Sequence, residues 1–258
     1  TRWLQGAEDA PLNIFAKVPS KIPIATRLSR EELKFGGTWP EKNDIEFVIR
    51  SEKPSYWRTL VYDVYTSDGW TMSPAGAAPA EAGSSWDGRS PDSPGAVTYT
   101  VSPSIQTDIL LVGGAFITAG LPHLRYGPGG DLFSIAAPRL LGPGESYSVT
   151  ADLATPSPAV LAAAGSDYPD GMERYLALPG SLPTDVLTLA ETVTEEATTP
   201  YGRVLAIDEF LGDFRYDLSI KGPGPGDDGV AYFLFEEKSG FCTYFASSMA
   251  VMLRVVGV

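Results

Sequence analysis

Residues 239–253 read SGFCTYFASSMAVML, and this stretch near the end of the chain decides the fold. Its side chains recur at the positions i, i+3, i+7 and i+11 that form one face of an α-helix: Cys242, Phe245, Met249 and Leu253. Ala246 and Ala250 extend the same face. The pattern therefore predicts a helix that begins at or near the cysteine and buries this face.

Cys242 is then expected at the N-terminus of that helix. The unpaired amides and the positive dipole end found there favour a thiolate. The same amides could hold the oxyanion of a tetrahedral intermediate. Gly240 can adopt backbone angles closed to other residues and lets a substrate backbone approach. The alternative interpretation is that Cys242 is a small buried side chain at the start of a core helix.

Further helical signals begin after Thr155. Two helices are predicted where a capping side chain precedes a proline: Ser157-Pro158, leading into 159–164, and Thr199-Pro200, continued by Val204, Ile207 and Leu211. A longer helix opens at Pro183 and has one apolar face: Val186, Ala190, Val193 and Ala197. A short helix is predicted over Met172–Leu178, and Asp228 is the predicted N-cap of residues 230–235.

The part of the chain between Gly37 and Thr155 has the character of β-structure. Several short segments rich in alternating, β-branched and aromatic residues are predicted strands: 45–50, 60–65, 97–101, 109–112, 115–119, 132–135 and 147–151. Residues 74–95 are rich in Ala, Gly, Ser and Pro, which predicts a long exposed loop. Short strands separated by turns indicate an antiparallel sandwich or barrel.

These signals predict an α+β protein with three parts. Residues 1–37 are expected to form a lead-in segment, with one short helical turn at 29–33. Residues 38–155 form an antiparallel β-sandwich-like domain. Residues 156–258 form a helical segment.

Composition excludes several functions. The chain has 258 residues, 43% of them hydrophobic, which favours a folded protein over a disordered one. Its net charge of −13 repels phosphate backbones, so no nucleic-acid partner is expected. The longest apolar run, 109–121, is interrupted by Gly113 and Gly114 and is too short for a membrane helix. The chain starts at Thr1 and stops at Val258 within an apolar run, so both ends are expected to be cut from a longer protein.

No metal or cofactor is expected. A single cysteine excludes an intrachain disulfide, and Cys242 and His123 alone cannot build a Cys/His zinc site. The Gly-rich loop 222–229 follows no predicted strand and has no lysine in the P-loop position, so phosphate binding is rejected.

The cysteine segment resembles a known family. Gly240-Phe-Cys-Thr-Tyr-Phe-Ala246, followed by a small-residue helix and 252–258, is similar to the nucleophile segment of the bacterial transglutaminase-like superfamily. Residues 214–216 and 228–235 resemble that family's approach to the cysteine. More loosely, 56–70 and 172–179 resemble the extracytoplasmic part of its multi-pass membrane members.

The resemblance implies a papain-like core with a Cys-His-Asp triad, of which this chain holds only the helical beginning. Cys242 is the implied catalytic residue, and the implied substrate is a glutamine carboxamide or a peptide bond in a protein or peptide. In the family, His and Asp follow the cysteine, and this chain ends before either. His123 lies upstream and is expected in a surface loop. The chain is therefore expected to be inactive alone, as part of an extracytoplasmic domain anchored by membrane segments outside it. The alternative is a non-catalytic binding or scaffold module.

Other residues carry weaker hypotheses. Tyr216 could bring a hydroxyl near the cysteine, but a core tyrosine is the favoured interpretation. Asp227 and Asp228 could bind a cation, but Asp228 is more simply an N-cap. Three tryptophans could form a carbohydrate-binding surface, but core or edge packing is the favoured interpretation: Trp57, Trp70 and Trp86.

The cysteine helix is apolar on more than one side, which predicts self-association. If no sheet covers it, part of its apolar surface must stay exposed, dock on the β domain or pair with another chain. The large side chains concerned are Phe241, Phe245, Met249, Met252, Leu253 and Val256. A homodimer through residues 245–256 is therefore expected.

Overall fold

The computed structural model describes residues 32–39, 44–128 and 130–258. Most of the predicted lead-in segment 1–37, and residues 29–31 of its predicted helical turn, lie outside the described residues. Glu32–Lys34 form a strand rather than a helical turn, because they pair antiparallel with Gly69–Thr71.

Two four-stranded antiparallel sheets form a sandwich. Their strands are β2 (Phe47–Arg50), β6 (Gly76–Ala80), β7 (Ala96–Pro103), β8 (Thr107–Ile109), β10 (Ala115–Ala119), β11 (His123–Gly127), β12 (Ser134–Leu141) and β13 (Tyr147–Asp152). The first sheet has the strand order β10-β13-β7-β2, and the second has the order β6-β11-β12-β8. Both sheets contribute to one hydrophobic cluster, the sandwich core, which includes Tyr99, Val101, Phe116, Ile135 and Val149.

Three smaller sheets account for the remaining strands. Their strands are β1 (Glu32–Lys34), β3 (Trp57–Arg58), β4 (Val64–Tyr65), β5 (Gly69–Thr71), β9 (Val112–Gly113), β14 (Arg215–Tyr216) and β15 (Ser239–Gly240). One sheet has the strand order β1-β5-β4, a second pairs β3 with β9, and a third pairs β14 in parallel with β15.

Helices follow Asp152, the last residue of β13. The α-helices are α1 (Pro158–Ala163), α2 (Thr184–Val193), α3 (Pro200–Leu211), α4 (Gly229–Ala231) and α5 (Cys242–Val255). A 3₁₀ helix spans Met172–Leu176, and a π-helix spans Tyr232–Glu237. Three predicted N-caps are confirmed, since Ser157, Thr199 and Asp228 each accept a hydrogen bond from a backbone amide of the helix they precede.

A second hydrophobic cluster, the helix core, surrounds α5. It joins α5 to α2, α3 and α4, and it also includes three aromatic residues from the first part of the chain: Phe35, Tyr65 and Trp70. Strands β4 and β5 therefore pack with residues that follow Thr155. The division of the chain into three parts stays a prediction.

The α+β class with antiparallel sheets is confirmed, but several element boundaries differ from the sequence prediction. The predicted loop 74–95 contains β6, which is an edge strand, and Pro79 is tolerated there because one side of an edge strand needs no donor. The predicted strand 60–65 is reduced to β4, and 109–112 is split between β8 and β9. Helix α2 ends at Val193, before Ala197.

Within the described residues, none of the helices combines the length and apolarity needed to cross a bilayer.

Candidate functional site around Cys242

Helix α5 begins at Cys242, as the sequence predicts, and the thiol-bearing residue is half-buried. Phe241 is the N-cap residue, with extended backbone angles. Its carbonyl accepts hydrogen bonds from the amides of Tyr244, at 2.8 Å, and Phe245, at 3.4 Å. The amides of Cys242 and Thr243 precede those two at the start of α5.

The two residues before Phe241 form the short strand β15. Gly240 is in register with Tyr216 of β14, and its carbonyl accepts a hydrogen bond from the Asp217 amide at 2.8 Å. A side chain at Gly240 would bring its Cβ to 3.0 Å from the ring of Tyr244. Gly240 does not have a positive φ. The glycine is therefore required for close packing against α5 rather than for unusual backbone angles.

The face of α5 that the sequence predicts to be buried is the less buried one. Cys242, Phe245 and Leu253 are half-buried, and Ala246 is exposed. Met249 is the one buried residue of the predicted face, and the other buried side chains lie on the rest of the helix: Thr243, Tyr244, Ser247, Ser248, Val251 and Met252. Periodicity misleads here because two serines belong to the buried side. Ser247 is accommodated there by accepting a hydrogen bond from the Trp70 indole N–H at 2.8 Å.

An aromatic group lies beside the half-buried face of α5. The rings of Tyr216 and Phe245 are 6.0 Å apart, and Phe245 also meets Phe233 edge-on at 5.0 Å. Tyr216 is 39% exposed, so the prediction of a core tyrosine is wrong. It lies at the surface because β14 is a two-residue strand at the edge of the helix core.

His123 is not in a surface loop, which corrects the sequence prediction. It belongs to β11, it is 2% exposed, and its ring meets Phe116 of the sandwich core edge-on at 5.7 Å. Its Nδ1 is 2.9 Å from the Leu121 carbonyl, and its Nε2 accepts a hydrogen bond from Arg125 Nε at 3.0 Å. Burial lowers the pKa of His123, and the neighbouring Arg125 charge lowers it further. Packing in the sandwich thus separates this imidazole from the cysteine site.

Asp228 and the three tryptophans make capping and packing contacts. Asp228 Oδ1 accepts the amides of Val230 and Ala231 at 3.0 and 2.9 Å, as an N-cap does. Among the described residues, no group of three or more His, Cys, Asp or Glu is arranged to hold a metal ion. The three tryptophans contact other side chains: Trp57 packs on Tyr99, Trp70 is in the helix core, and Trp86 lies under Arg125.

Sequence reasoning missed Glu237. Its carboxylate accepts hydrogen bonds from the Tyr232 hydroxyl, at 2.9 Å, and from the Ser239 hydroxyl, at 2.8 Å. Glu237 ends the π-helix, and Ser239 begins the strand that leads to Cys242. No periodic pattern marks a π-helix, so the only available signal was a carboxylate close to the cysteine in sequence.

The fold and the site define a class: an antiparallel β sandwich joined to a helical unit that presents a half-buried cysteine at a helix start. Residues 187–258 match the model of the transglutaminase-like superfamily. This segment of the chain is therefore similar to the core of the transglutaminase-like superfamily.

Two relatives match about a third of the chain. The uncharacterized protein YebA of Bacillus subtilis is 39% identical over 89 residues, which cover 33% of this chain and 12% of that protein. A protein-glutamine gamma-glutamyltransferase of Pseudomonas aeruginosa is 33% identical over 85 residues, which cover 33% of this chain and 13% of that protein. The matched region thus spans about an eighth of the length of either relative.

Two solved structures share the fold. Both are the periplasmic domain of TgpA from Pseudomonas aeruginosa. One superposes with a TM-score of 0.63 and 22% identity, covering 88% of this chain and 77% of that one. The other, bound to ethylmercury, gives a TM-score of 0.59 and 23% identity, covering 83% and 73%. At this identity the likeness establishes the fold, and it includes the sandwich as well as the helical unit.

Proposed function

We propose that the protein to which these residues belong transfers acyl groups from a glutamine carboxamide or a peptide bond, with Cys242 as the nucleophile. The observation that carries the proposal is the half-buried thiol at the first position of α5, inside the segment that matches the transglutaminase-like superfamily. The relative from Pseudomonas aeruginosa is a protein-glutamine gamma-glutamyltransferase, which supports this chemistry.

The proposed reaction has two steps. The thiolate attacks the carbonyl carbon, a C–S bond forms, and the C–N bond breaks while the leaving ammonia or amine takes up a proton. An amine or water then attacks the thioester, which releases the acyl product and returns the thiol. Each step requires a group that gives and takes a proton near the sulfur, normally an imidazole.

This chain supplies no such imidazole. The sequence contains one histidine, and it is buried in the sandwich and bonded to Leu121 and Arg125. We therefore propose that the triad's His and Asp are encoded beyond Val258, and that the 258 residues alone do not turn over substrate. The half-buried face of α5 is where those residues would approach Cys242.

We propose further that this is an extracytoplasmic domain of a bacterial membrane protein whose anchoring segments lie outside the chain. The support is that both solved structures sharing the fold are periplasmic domains. The relatives are also several times longer than the matched region.

The decisive experiment compares three proteins: the 258-residue chain, a chain extended along its gene through the downstream His and Asp, and that extended chain carrying Cys242→Ala. Ammonia release from a glutamine peptide, with and without a primary amine, is measured. We expect turnover only from the extended chain with Cys242 intact, by at least about 100-fold over the alanine variant. Turnover by the 258 residues alone would contradict the triad argument. An inactive extended chain that carries His and Asp would favour a binding or scaffold module.

Access to the thiol can be tested without activity. Cys242 is the only cysteine, so alkylation reports on it alone. Because it is half-buried, we expect iodoacetamide to label it in the folded chain, faster than a fully buried thiol. A requirement for denaturant would show that Cys242 is a core residue.

We also propose that the chain forms a weak homodimer through residues 245–256. The structure buries Phe241, Met249 and Met252, so the remaining apolar surface is provided by half-buried side chains: Phe245, Leu253 and Val256. Analytical ultracentrifugation of the chain and of a Phe245→Asp variant tests this. A monomer at every concentration would overturn it.

A further inference from the structure

An unusual backbone segment leads into Cys242. Residues 232–237 form a π-helix, a conformation that is rare and often found near functional sites. The next residue, Lys238, has a φ of 52°, in the left-handed region that non-glycine residues seldom occupy. Strained backbone of this kind persists only where surrounding contacts hold it. Strand β15 and Cys242 follow at once.

The carboxylate of Glu237 bonds to residues on both sides of the turn at Lys238. Glu237 Oε2 accepts the hydroxyl of Tyr232, the first residue of the π-helix, and Oε1 accepts the hydroxyl of Ser239, the first residue of β15. Tyr232 is 7% exposed and Ser239 is 3% exposed, and both hydrogen bonds to the half-buried Glu237 are partly buried. Burial, followed by the hydrogen bond to Glu237, raises the pKa of Tyr232 to about 12, so its hydroxyl remains a donor at neutral pH.

The turn fixes the backbone that carries the thiol. The Lys238 amide donates to the Phe233 carbonyl at 3.0 Å, which closes the π-helix. The Lys238 carbonyl accepts the Arg215 amide at 3.2 Å, and the Gly240 carbonyl accepts the Asp217 amide at 2.8 Å. Strand β15 is therefore held from one side by β14 and from the other by Glu237. Only Phe241 separates it from Cys242.

We propose that Glu237 is a positioning residue for Cys242: its carboxylate, bridging Tyr232 and Ser239, locks the left-handed turn that delivers the thiol at the start of α5. The inference rests on the proposed role of Cys242 as nucleophile. Glu237 acts through the Ser239–Gly240 backbone and does not itself touch the reacting atoms.

Hydrogen exchange of backbone amides in the 258-residue chain tests directly whether Glu237 holds the turn at Lys238. Glu237→Ala removes both acceptors, whereas Glu237→Gln keeps the reach and one acceptor oxygen without the charge, and its NH2 group can donate to the second hydroxyl, which then acts as acceptor. Glu236→Ala is the matched control, because Glu236 is the exposed neighbour with the same charge. We expect amides 238–244 to exchange about fivefold or more faster in Glu237→Ala, and within about twofold of the wild type in the other two.

A milder variant covers the case in which Glu237→Ala fails to fold. Ser239→Ala removes one of the two hydrogen bonds, and we expect a smaller increase in exchange confined to the same amides. Unchanged exchange in both variants, or an equal increase in Glu236→Ala, overturns the proposal.

The extended chain tests whether the lock matters for turnover. Misplacing a nucleophile lowers kcat while leaving substrate binding intact, so we expect Glu237→Ala to lose about 10-fold or more in kcat at nearly constant KM. Glu237→Gln should retain most of the rate. An active wild type whose Glu237→Ala variant keeps its kcat overturns the inference alone. An inactive wild type with intact His and Asp overturns the proposed function, and the exchange measurement then still decides whether Glu237 holds the turn.

Discussion

The two hydrophobic cores of the molecule are assembled in different ways. The sandwich core is built mainly from one continuous part of the chain, between Val97 and Leu153, whose strands pair through backbone ladders. The helix core joins Phe35, Tyr65 and Trp70 to residues from Leu182 to Met252. The helix that carries the cysteine therefore depends on residues from the opposite end of the chain.

Side-chain hydrogen bonds make these distant connections. Four of them link the first part of the chain to α4 or α5: Tyr65 to Asp228 at 2.9 Å, Trp70 to Ser247 at 2.8 Å, Arg254 to the Asp63 carbonyl at 2.8 Å, and Tyr244 to the Gly36 carbonyl at 2.9 Å. Arg254 also lies over the Trp70 ring, 4.8 Å from its centroid. The comparison teaches that the sandwich is specified by strand pairing, whereas the cysteine helix is positioned by individual polar contacts.

The largest loss of stability is expected when Asp228 is replaced. Its Oδ1 accepts the Tyr65 hydroxyl and the amides of Val230 and Ala231, so Asp228→Ala leaves three donors without an acceptor. We expect a loss of about 3 kcal/mol in the free energy of unfolding, measured with urea, since the desolvated carboxylate offsets part of the three bonds. Asp227→Ala, at the exposed neighbour, should cost less than about 1 kcal/mol. Equal losses would show that the contact between the two ends of the chain is unimportant.

The second-largest loss of stability is expected in the sandwich core. The Tyr99 hydroxyl donates to the Leu111 carbonyl at 3.0 Å and accepts the Gly113 amide at 2.8 Å. Tyr99→Phe should cost about 2 kcal/mol, because both buried groups lose their partner. The rate at which iodoacetamide labels Cys242 in the folded protein should not change. A changed rate would mean that the sandwich core also positions the cysteine helix.

The same contrast explains what the sequence could predict. Strands β7, β10 and β13 were predicted nearly at their observed bounds, because alternation and β-branched residues report directly on a half-buried strand. Strand β6 could not be predicted, because Gly76–Ala80 contain only glycine, alanine and proline. It is a strand because β11 offers it a pairing edge. Tertiary context decides such segments.

The site was predictable at its centre and not at its periphery. The start of α5 at Cys242 followed from apolar spacing, but the buried face did not, because Ser247 and Ser248 are polar residues inside the helix core. The position of His123 was also wrong. The stretch 120–128, with glycine and proline near both ends, is predicted to be a surface loop, whereas His123–Gly127 form a strand whose histidine is hydrogen-bonded to Leu121 and Arg125. Side-chain partners far away in sequence leave no local pattern.

Two adjacent serines of α5 test the polar contacts of this helix through a smaller expected change in the free energy of unfolding. Ser247 accepts the Trp70 indole N–H, whereas the Ser248 hydroxyl, equally buried, has no hydrogen-bond partner among the described residues. Ser247→Ala should cost about 1.5 kcal/mol, because it leaves the indole N–H unpaired. Ser248→Ala should stay within about 0.5 kcal/mol of the wild type or stabilise the protein. Urea unfolding of both variants decides this, and the reverse order would contradict the role given to Trp70.

The smallest effect is a pH dependence that belongs to the sandwich alone. Burial and the Arg125 charge lower the pKa of His123 in the folded chain below its usual value near 6.5. At a pH between the folded and unfolded pKa values of His123, the unfolded chain binds a proton that the folded chain does not, so acidification favours unfolding.

The free energy of unfolding should therefore fall as the pH drops from about 7.5 through about 6.5 and below. The free energy of unfolding is compared with that of His123→Gln over the same range, because the other titratable groups are the same in both proteins. Because the sequence has no other histidine, the difference between the two proteins should narrow on acidification. A constant difference would mean that His123 is protonated equally in the folded and unfolded chains, and the hydrogen bond from Arg125 to its Nε2 would then be wrong.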